Sequence, residues 1–159
     1  FVLVGDGTFL MNPTEIVSAV QHGVKVTVIV SANDGMQCIR RLEEAFVHAP
    51  FANLFFRRDP RTHALSDEPL GLDLAAVSRA LGSVAVVADG PDAVRRTIRE
   101  ALLRPETTVI VVPTDPVRRL ERTEVWRDRA PAEVSDHPTL RVARARYEEG
   151  RRANQRWYG

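Results

Sequence analysis

An α/β architecture, a mainly parallel sheet flanked by helices, is what this chain should adopt. Three β-branched runs, "VKVTVIVS" (24–31), "VAVVA" (84–88) and "TTVIVV" (107–112), are too continuously apolar for strands with one wet face. They suit strands covered on both faces. The stretches between them carry helical spacing, and alternation of strand with helix argues for parallel pairing.

In chain order, Phe1–Val4 reads as the end of an apolar strand and "GDG" (5–7) as the turn that leaves it. A helix is expected over Thr14–Val20, with Asn12 as N-cap, Pro13 at the first helical position and Glu15 as the capping-box acid. The strand "VKVTVIVS" follows and ends in the turn "SANDG" (31–35). Phe46–Leu72 has three prolines and no clear period, so it is read as a long irregular loop of the kind that often carries function. "LDLAAVSRALG" (72–82) sets Leu74, Val77 and Leu81 at helical spacing and stops at Gly82. "PDAVRRTIREALL" (91–103) places Val94, Ile98, Ala101 and Leu102 on one face. Pro113–Ser135 is a proline- and charge-rich connection, and a polar helix runs from there to about Arg152.

The 159 residues are enough for about one domain with a buried core. No run is long enough to span a bilayer, and no segment has the parts of a signal peptide. The single Cys38 precludes an internal disulfide and suits a reducing cytoplasm, which is the expected location. A net charge of +1 argues against a nucleic-acid partner. From Arg118 onward 11 arginines stand against 7 acidic residues, a bias read as a solvated helix face. Phe1, rather than Met, opens directly in a segment that wants burial, so the chain is expected to belong to a larger polypeptide.

Asp6 poses the functional question. A carboxylate between two glycines, at the end of a buried strand, is costly unless it has a partner. Asn33 lies 27 residues on, at the end of the next strand, and one helix and one strand separate the two. If those strands are neighbours, about 4.8 Å apart, Asp6 and Asn33 meet at the sheet edge where open α/β folds bind ligands. With a free Gly35 carbonyl they make three hard oxygen ligands, and magnesium completes such a set with phosphates and water. Gly5 and Gly7 would let backbone N–H groups approach those phosphates.

GDG followed by an Asn-containing turn at this distance resembles the diphosphate-binding signature of thiamine-diphosphate enzymes. The resemblance implies the cofactor-binding fold of that family, here a partial domain, with thiamine diphosphate and magnesium as cofactors. It assigns Asp6, Asn33 and Gly35 to the metal, and Gly5, Asp6, Gly7, Thr8, Asn33, Gly35 and Met36 to the cofactor. Ala32 replaces the first of two usual asparagines, and Met36 stands where an aromatic is frequent. It implies a cofactor domain over 1–135, truncated at its N-terminus, and a C-terminal helical tail over 136–159.

"DGMQCIRRLE", "LDLAAVSRALG", "APAEVSD" and "ARARYEEGRRANQRWYG" look like the last part of the trihydroxycyclohexane-dione hydrolases of inositol breakdown. That likeness implies hydrolysis of a C–C bond in a cyclic 1,2-diketone. Leu54 and Phe56 depart from it by standing where an acid and a base are expected, and Arg127 stands where a tryptophan is usual. The activating glutamate of the family lies in a pyrimidine-binding domain, expected upstream or in a companion chain, so no catalytic residue is assigned to this chain. A homo-oligomer is expected on the same ground. An acetolactate-synthase-like carboligase or decarboxylase, and a non-catalytic cofactor-domain subunit, are the alternatives.

Other residues have plainer roles. His22, His48, His63 and His137 are too scattered for a metal cluster, and His22 suits a helix end. Cys38 is expected to be a small packed residue. Arg57 and Arg58 are read as solvated, and Trp126, Trp157 and Tyr158 as packing against the rest of a larger enzyme.

Overall fold

The structure, a computed structural model, describes residues 1–46, 53–118 and 130–154. Of these, 1–37 and 53–118 form one compact unit, and 38–46 and 130–154 a second. Along the chain run β1 (Val2–Gly5), α1 (Asp6–Met11), α2 (Glu15–Gln21), β2 (Thr27–Ala32), α3 (Gln37–Phe46), β3 (Phe56–Arg58) and β4 (Leu65–Pro69). Then come α4 (Leu74–Ala80), β5 (Val84–Val87), α5 (Pro91–Leu103), β6 (Thr108–Pro113) and α6 (Pro138–Asn154). His48, Trp126, Arg127, Trp157 and Tyr158 lie outside the described residues.

The first unit is built on a four-stranded sheet in the order β1-β2-β6-β5, parallel throughout. Its two faces bury separate clusters. Val28 and Val30 of β2 and Val109 and Val111 of β6 pack with Phe9 of α1, Ile16 of α2, and Leu74 and Ala75 of α4. On the other face Ile29 of β2 and Ile110 and Val112 of β6 pack with Val94, Ile98 and Ala101 of α5. Alternate residues of one strand therefore serve opposite cores, which is why the strands read as unbroken apolar runs. β1 is an edge strand and is covered unevenly: Val4 joins the first cluster, whereas Val2 and Leu3 are exposed.

Three readings of the sequence need correction here. The residues after β1 are not an open turn, because α1 starts at Asp6 and runs to Met11 before the expected helix. That second helix, α2, takes Thr14 rather than Asn12 as its N-cap, without a side-chain cap bond. Asn12 instead links the polar side chains of the α1–α2 connection, accepting from Thr14 Oγ1 at 2.8 Å and donating to Glu15 at 3.4 Å. Phe46–Leu72, expected to be irregular, contains the antiparallel β3–β4 hairpin. Its strands are three and five residues long and mostly exposed, so no buried face wrote an alternating pattern into the sequence.

In the second unit α6 forms where a polar helix was expected. Arg40 pairs with Glu44 in α3, and Arg144 with Glu148 in α6, both at i,i+4 spacing. Such pairs contribute about 0.3–0.5 kcal/mol each. Arg144 also donates to the Pro131 carbonyl at 3.1 Å and lies over the Tyr147 ring, so it holds the "APAEVSD" segment to the helix.

Candidate functional site

β1 and β2 are direct neighbours, with Gly5 opposite Ser31, so the residues that follow them emerge side by side at the carboxyl edge of the sheet. Asp6 there is only 2% exposed. Its charge is met by backbone donors: Gly7 N–H reaches Oδ1 at 2.7 Å, and Oδ2 accepts from Asn33 N–H at 2.8 Å and Gly35 N–H at 3.2 Å. Asp6 thus clasps the turn that leaves the next strand. These three backbone N–H groups offset the cost of burying its charge.

The turn is shaped by close contacts. Asp34 sits in the left-handed region at φ 59°, which aspartate tolerates better than most residues. A Cβ on Gly35, at φ 152°, would stand 2.4 Å from the Asn53 carbonyl oxygen and 3.0 Å from Leu54 Cα. Glycine is therefore required there. Residues 53–55 press in as a short antiparallel segment: Gly35 bridges Leu54, Met36 N–H donates to Asn53 O at 2.8 Å, and Phe55 N–H donates to Asp34 O at 2.9 Å. Gly7 is closed over by Met36, whose Cγ would lie 2.6 Å from an added Cβ.

Acceptor capacity decides whether a cation could fit. Oδ2 of Asp6 is filled by two donors, and Oδ1, with one, keeps a lone pair. The Asn33 side-chain amide has no hydrogen bond among the described residues. The Gly35 carbonyl, expected to be free, accepts from Gln37 N–H at 3.0 Å and retains one lone pair. One carboxylate, one amide and one carbonyl oxygen are hard donors that suit a magnesium-like ion. Among the described residues no three His, Cys, Asp or Glu side chains gather around a common point, so a cation here depends on this mixed set.

The remaining candidates are dispersed. Thr8 is exposed and borders an apolar cavity of about 270 Å³ together with Val4, Phe9 and Ile16, whose lining omits Asp6, Asn33, Gly35 and Met36. Cys38, expected to be packed, is exposed because it falls on an outer position of α3. Arg57 pairs with Glu68 and Arg58 donates to the His63 carbonyl, so both serve the hairpin. His22 closes α2 as expected.

Two groups of residues escaped the sequence reading. Gln37, buried at 6% exposure, donates through Nε2 to the Asn33 carbonyl at 2.7 Å. Ser31 and Thr114 join their hydroxyls at 2.8 Å, and Thr114 N–H reaches the Ala32 carbonyl, tying the ends of β2 and β6 beside Asn33. Polar residues just past apolar strands are the only signal that could have flagged them. Next to Thr114, the N–H groups of Arg118 and Val117 hold the Asp115 carboxyl below its ordinary value, which marks a local turn cap.

Known proteins resemble this chain in sequence and fold. A family model described as thiamine pyrophosphate enzyme, C-terminal TPP binding domain, matches residues 1–112. The 3D-(3,5/4)-trihydroxycyclohexane-1,2-dione hydrolase of Clostridium tetani is 26% identical over 143 residues, covering 90% of this chain and 22% of that protein. The protein of the same name in Geobacillus thermodenitrificans is 33% identical over 82 residues, 52% of this chain and 13% of that one. The chain spans about a fifth of the length of relatives such as the former. Benzoylformate decarboxylase from Polynucleobacter necessarius superposes with a TM-score of 0.58 at 26% identity, over 74% of this chain and 20% of that one. A 4-hydroxybenzoylformate decarboxylase of Rhodococcus jostii, at TM-score 0.53 and 23% identity over 71% of this chain and 19% of that one, shares the fold. A parallel sheet between helices, an aspartate and an asparagine at neighbouring strand ends, and a family match over residues 1–112 lead to one conclusion: the chain belongs to the thiamine pyrophosphate enzymes, as their C-terminal TPP-binding domain.

Proposed function

We propose that this chain binds the diphosphate of thiamine diphosphate through magnesium, in an enzyme that hydrolyses a C–C bond of a cyclic 1,2-diketone. The observation that carries the reading is the acceptor count at Asp6: after three backbone bonds, Oδ1 retains one lone pair beside a half-engaged Gly35 carbonyl and an Asn33 side-chain amide with no bond among the described residues. Asp6, Asn33 and Gly35 would hold the cation, and Gly5 and Thr8 would border the diphosphate; Gly7, with its N–H on Asp6 and Met36 over it, would brace the aspartate. When bound, the cofactor supplies a carbanion and stores the charge released by bond cleavage. The chain's own part is to bind and orient it. The activating glutamate and the rest of the substrate site come from a pyrimidine-binding domain, upstream or in a companion chain, with subunits paired as a homo-oligomer in the cytoplasm.

The names of the sequence relatives support a hydrolase of the trihydroxycyclohexane-dione type, and with it inositol catabolism. The name of the solved structure at TM-score 0.58 favours a second reading, a decarboxylase of 2-oxo acids or a related carboligase. If the segment bridged to Gly35 lines the substrate pocket, Leu54 and Phe56 would make it more apolar than a polyhydroxylated ring requires. An unpaired hydroxyl costs roughly 1–3 kcal/mol, so a less hydroxylated diketone is the expected substrate. Calorimetric titration of the intact protein should show thiamine diphosphate binding only with magnesium present. Turnover should then give a ring-opened acid, with kcat/KM higher for cyclohexane-1,2-dione than for its trihydroxy analogue. Carbon dioxide release from a 2-oxo acid, with no ring opening, would establish the decarboxylase instead.

A further inference from the structure

Asn33 and Gly35, the two residues that would join Asp6 around a cation, are both held by Gln37. Its main-chain N–H donates to the Gly35 carbonyl at 3.0 Å, and its side-chain Nε2 donates to the Asn33 carbonyl at 2.7 Å. A glutamine is mostly found in water, yet this one is only 6% exposed. Burying an amide is favourable only when its donors find acceptors, and the Asn33 carbonyl is one. Asn33 is consequently fixed from both sides: its N–H is on Asp6 Oδ2 and its carbonyl is on Gln37 Nε2. With both flanking peptide planes tied, the Asn33 side chain leaves the backbone in one direction.

We infer that Gln37 is a positioning residue for the cation site, pinning the Asn33–Gly35 turn so that its oxygens stand in place before a cation arrives. The inference rests on the cation reading of Asp6 given above. Gln37 itself touches no cation. Magnesium demands near-octahedral geometry, whereas calcium accepts six to eight oxygens in flexible arrangements. A pinned turn therefore favours the stricter ion, and a loosened turn loses that preference.

Gln37→Met keeps the length of the side chain and removes its donor. In calorimetric titrations of the intact protein, thiamine diphosphate binding supported by magnesium should weaken about tenfold, the lower end of what outer-sphere partners contribute to metal affinity. Binding supported by calcium should weaken much less, so the ratio of the two affinities falls. Equal losses for the two ions would reduce Gln37 to a support of the fold and overturn the inference, as would unchanged binding with magnesium. Should Gln37→Met fail to fold, Gln37→Asn gives the same decision: its shorter amide keeps its donors but draws back from the Asn33 carbonyl, and the ratio should fall by a smaller factor. A parent protein that binds thiamine diphosphate identically with and without either ion would overturn the cation reading itself, and this inference with it. That result is distinct from a parent that needs the ion and a variant that binds equally well.

Discussion

Two aspartates in this protein perform the same chemistry at different reach. Asp6 accepts three backbone N–H groups and is buried, and two of its donors are 27 and 29 residues away. Asp59 accepts two, from Arg61 at 2.7 Å and Thr62 at 3.0 Å, within its own turn between β3 and β4. Asp59 orders a loop that the chain forms locally. Asp6 joins the ends of two strands, so its bonds exist only once β1 and β2 have paired. The difference lies in what is lost when the carboxylate goes: water replaces the acceptor at an exposed turn, but nothing replaces it at a buried one.

The largest effect should follow from Asp6→Ala. Three N–H groups lose their acceptor in a buried setting, at roughly 1–3 kcal/mol each if left unsatisfied, and the proposed cation would lose its one charged ligand. Thermal melting should show a fall of 5 °C or more, on the scale of about 2–4 °C per kcal/mol for a chain of this size, and titration should show no magnesium-dependent binding. Asn33→Ala, which keeps the backbone donor to Asp6, should melt near the parent and bind more weakly. An Asp6→Ala protein that binds like the parent would remove Asp6 from the metal.

Gly35→Ala should come next, because it tests the clasp without touching the carboxylate. The new Cβ would collide with the Asn53 carbonyl at 2.4 Å, and backbone on both sides leaves little room to yield. A cost of roughly 1–3 kcal/mol is expected for such overpacking. Gly7→Ala meets the Met36 side chain instead, which can swing aside, so its melting temperature should fall less. The reverse order would show that residues 53–55 do not brace the turn.

The smallest effect belongs to Asp59→Asn. The Thr62 N–H, followed by the Arg61 N–H, holds the Asp59 carboxyl below its ordinary value. A depressed carboxyl contributes to stability above its unfolded pKa, and that contribution is lost as pH falls through the folded value. The amide proton shifts of Arg61 and Thr62 should therefore titrate together with a midpoint below about 3.9, the reference for aspartate. In Asp59→Asn that titration should vanish while the sheet and the cofactor affinity stay as they are. A midpoint above the reference would mean that the turn cap is absent in solution.

Legibility followed the same division between local and distant bonds. The strand runs and the helices α4, α5 and α6 could be read because each buried face, N-cap or polar helix leaves a periodic mark of its own. Leu74, Val77 and Leu81 marked α4 by their spacing, while its cap, Asp73 accepting from Ala76 N–H at 2.8 Å, came to light in the structure. The β3–β4 hairpin left no such mark, since few of its side chains are buried. At the candidate site the spacing from Asp6 to Asn33 was legible because one crossover brings neighbouring parallel strands to a common edge.

By itself, then, the sequence determined that a carboxylate and an amide stand at the ends of consecutive strands, since the apolar runs dictate the strands and the intervening length permits one crossover; the tertiary structure made those strands neighbours. Only the tertiary structure decided how Asp6 is occupied, that Leu54 presses on Gly35, and that Gln37 holds Asn33 and Gly35 together. The strands declare themselves because burial imposes a composition on every residue they contain. A hydrogen bond between a buried side chain and a backbone group imposes nothing on its backbone partner, and so it appears only when the chain has closed around it.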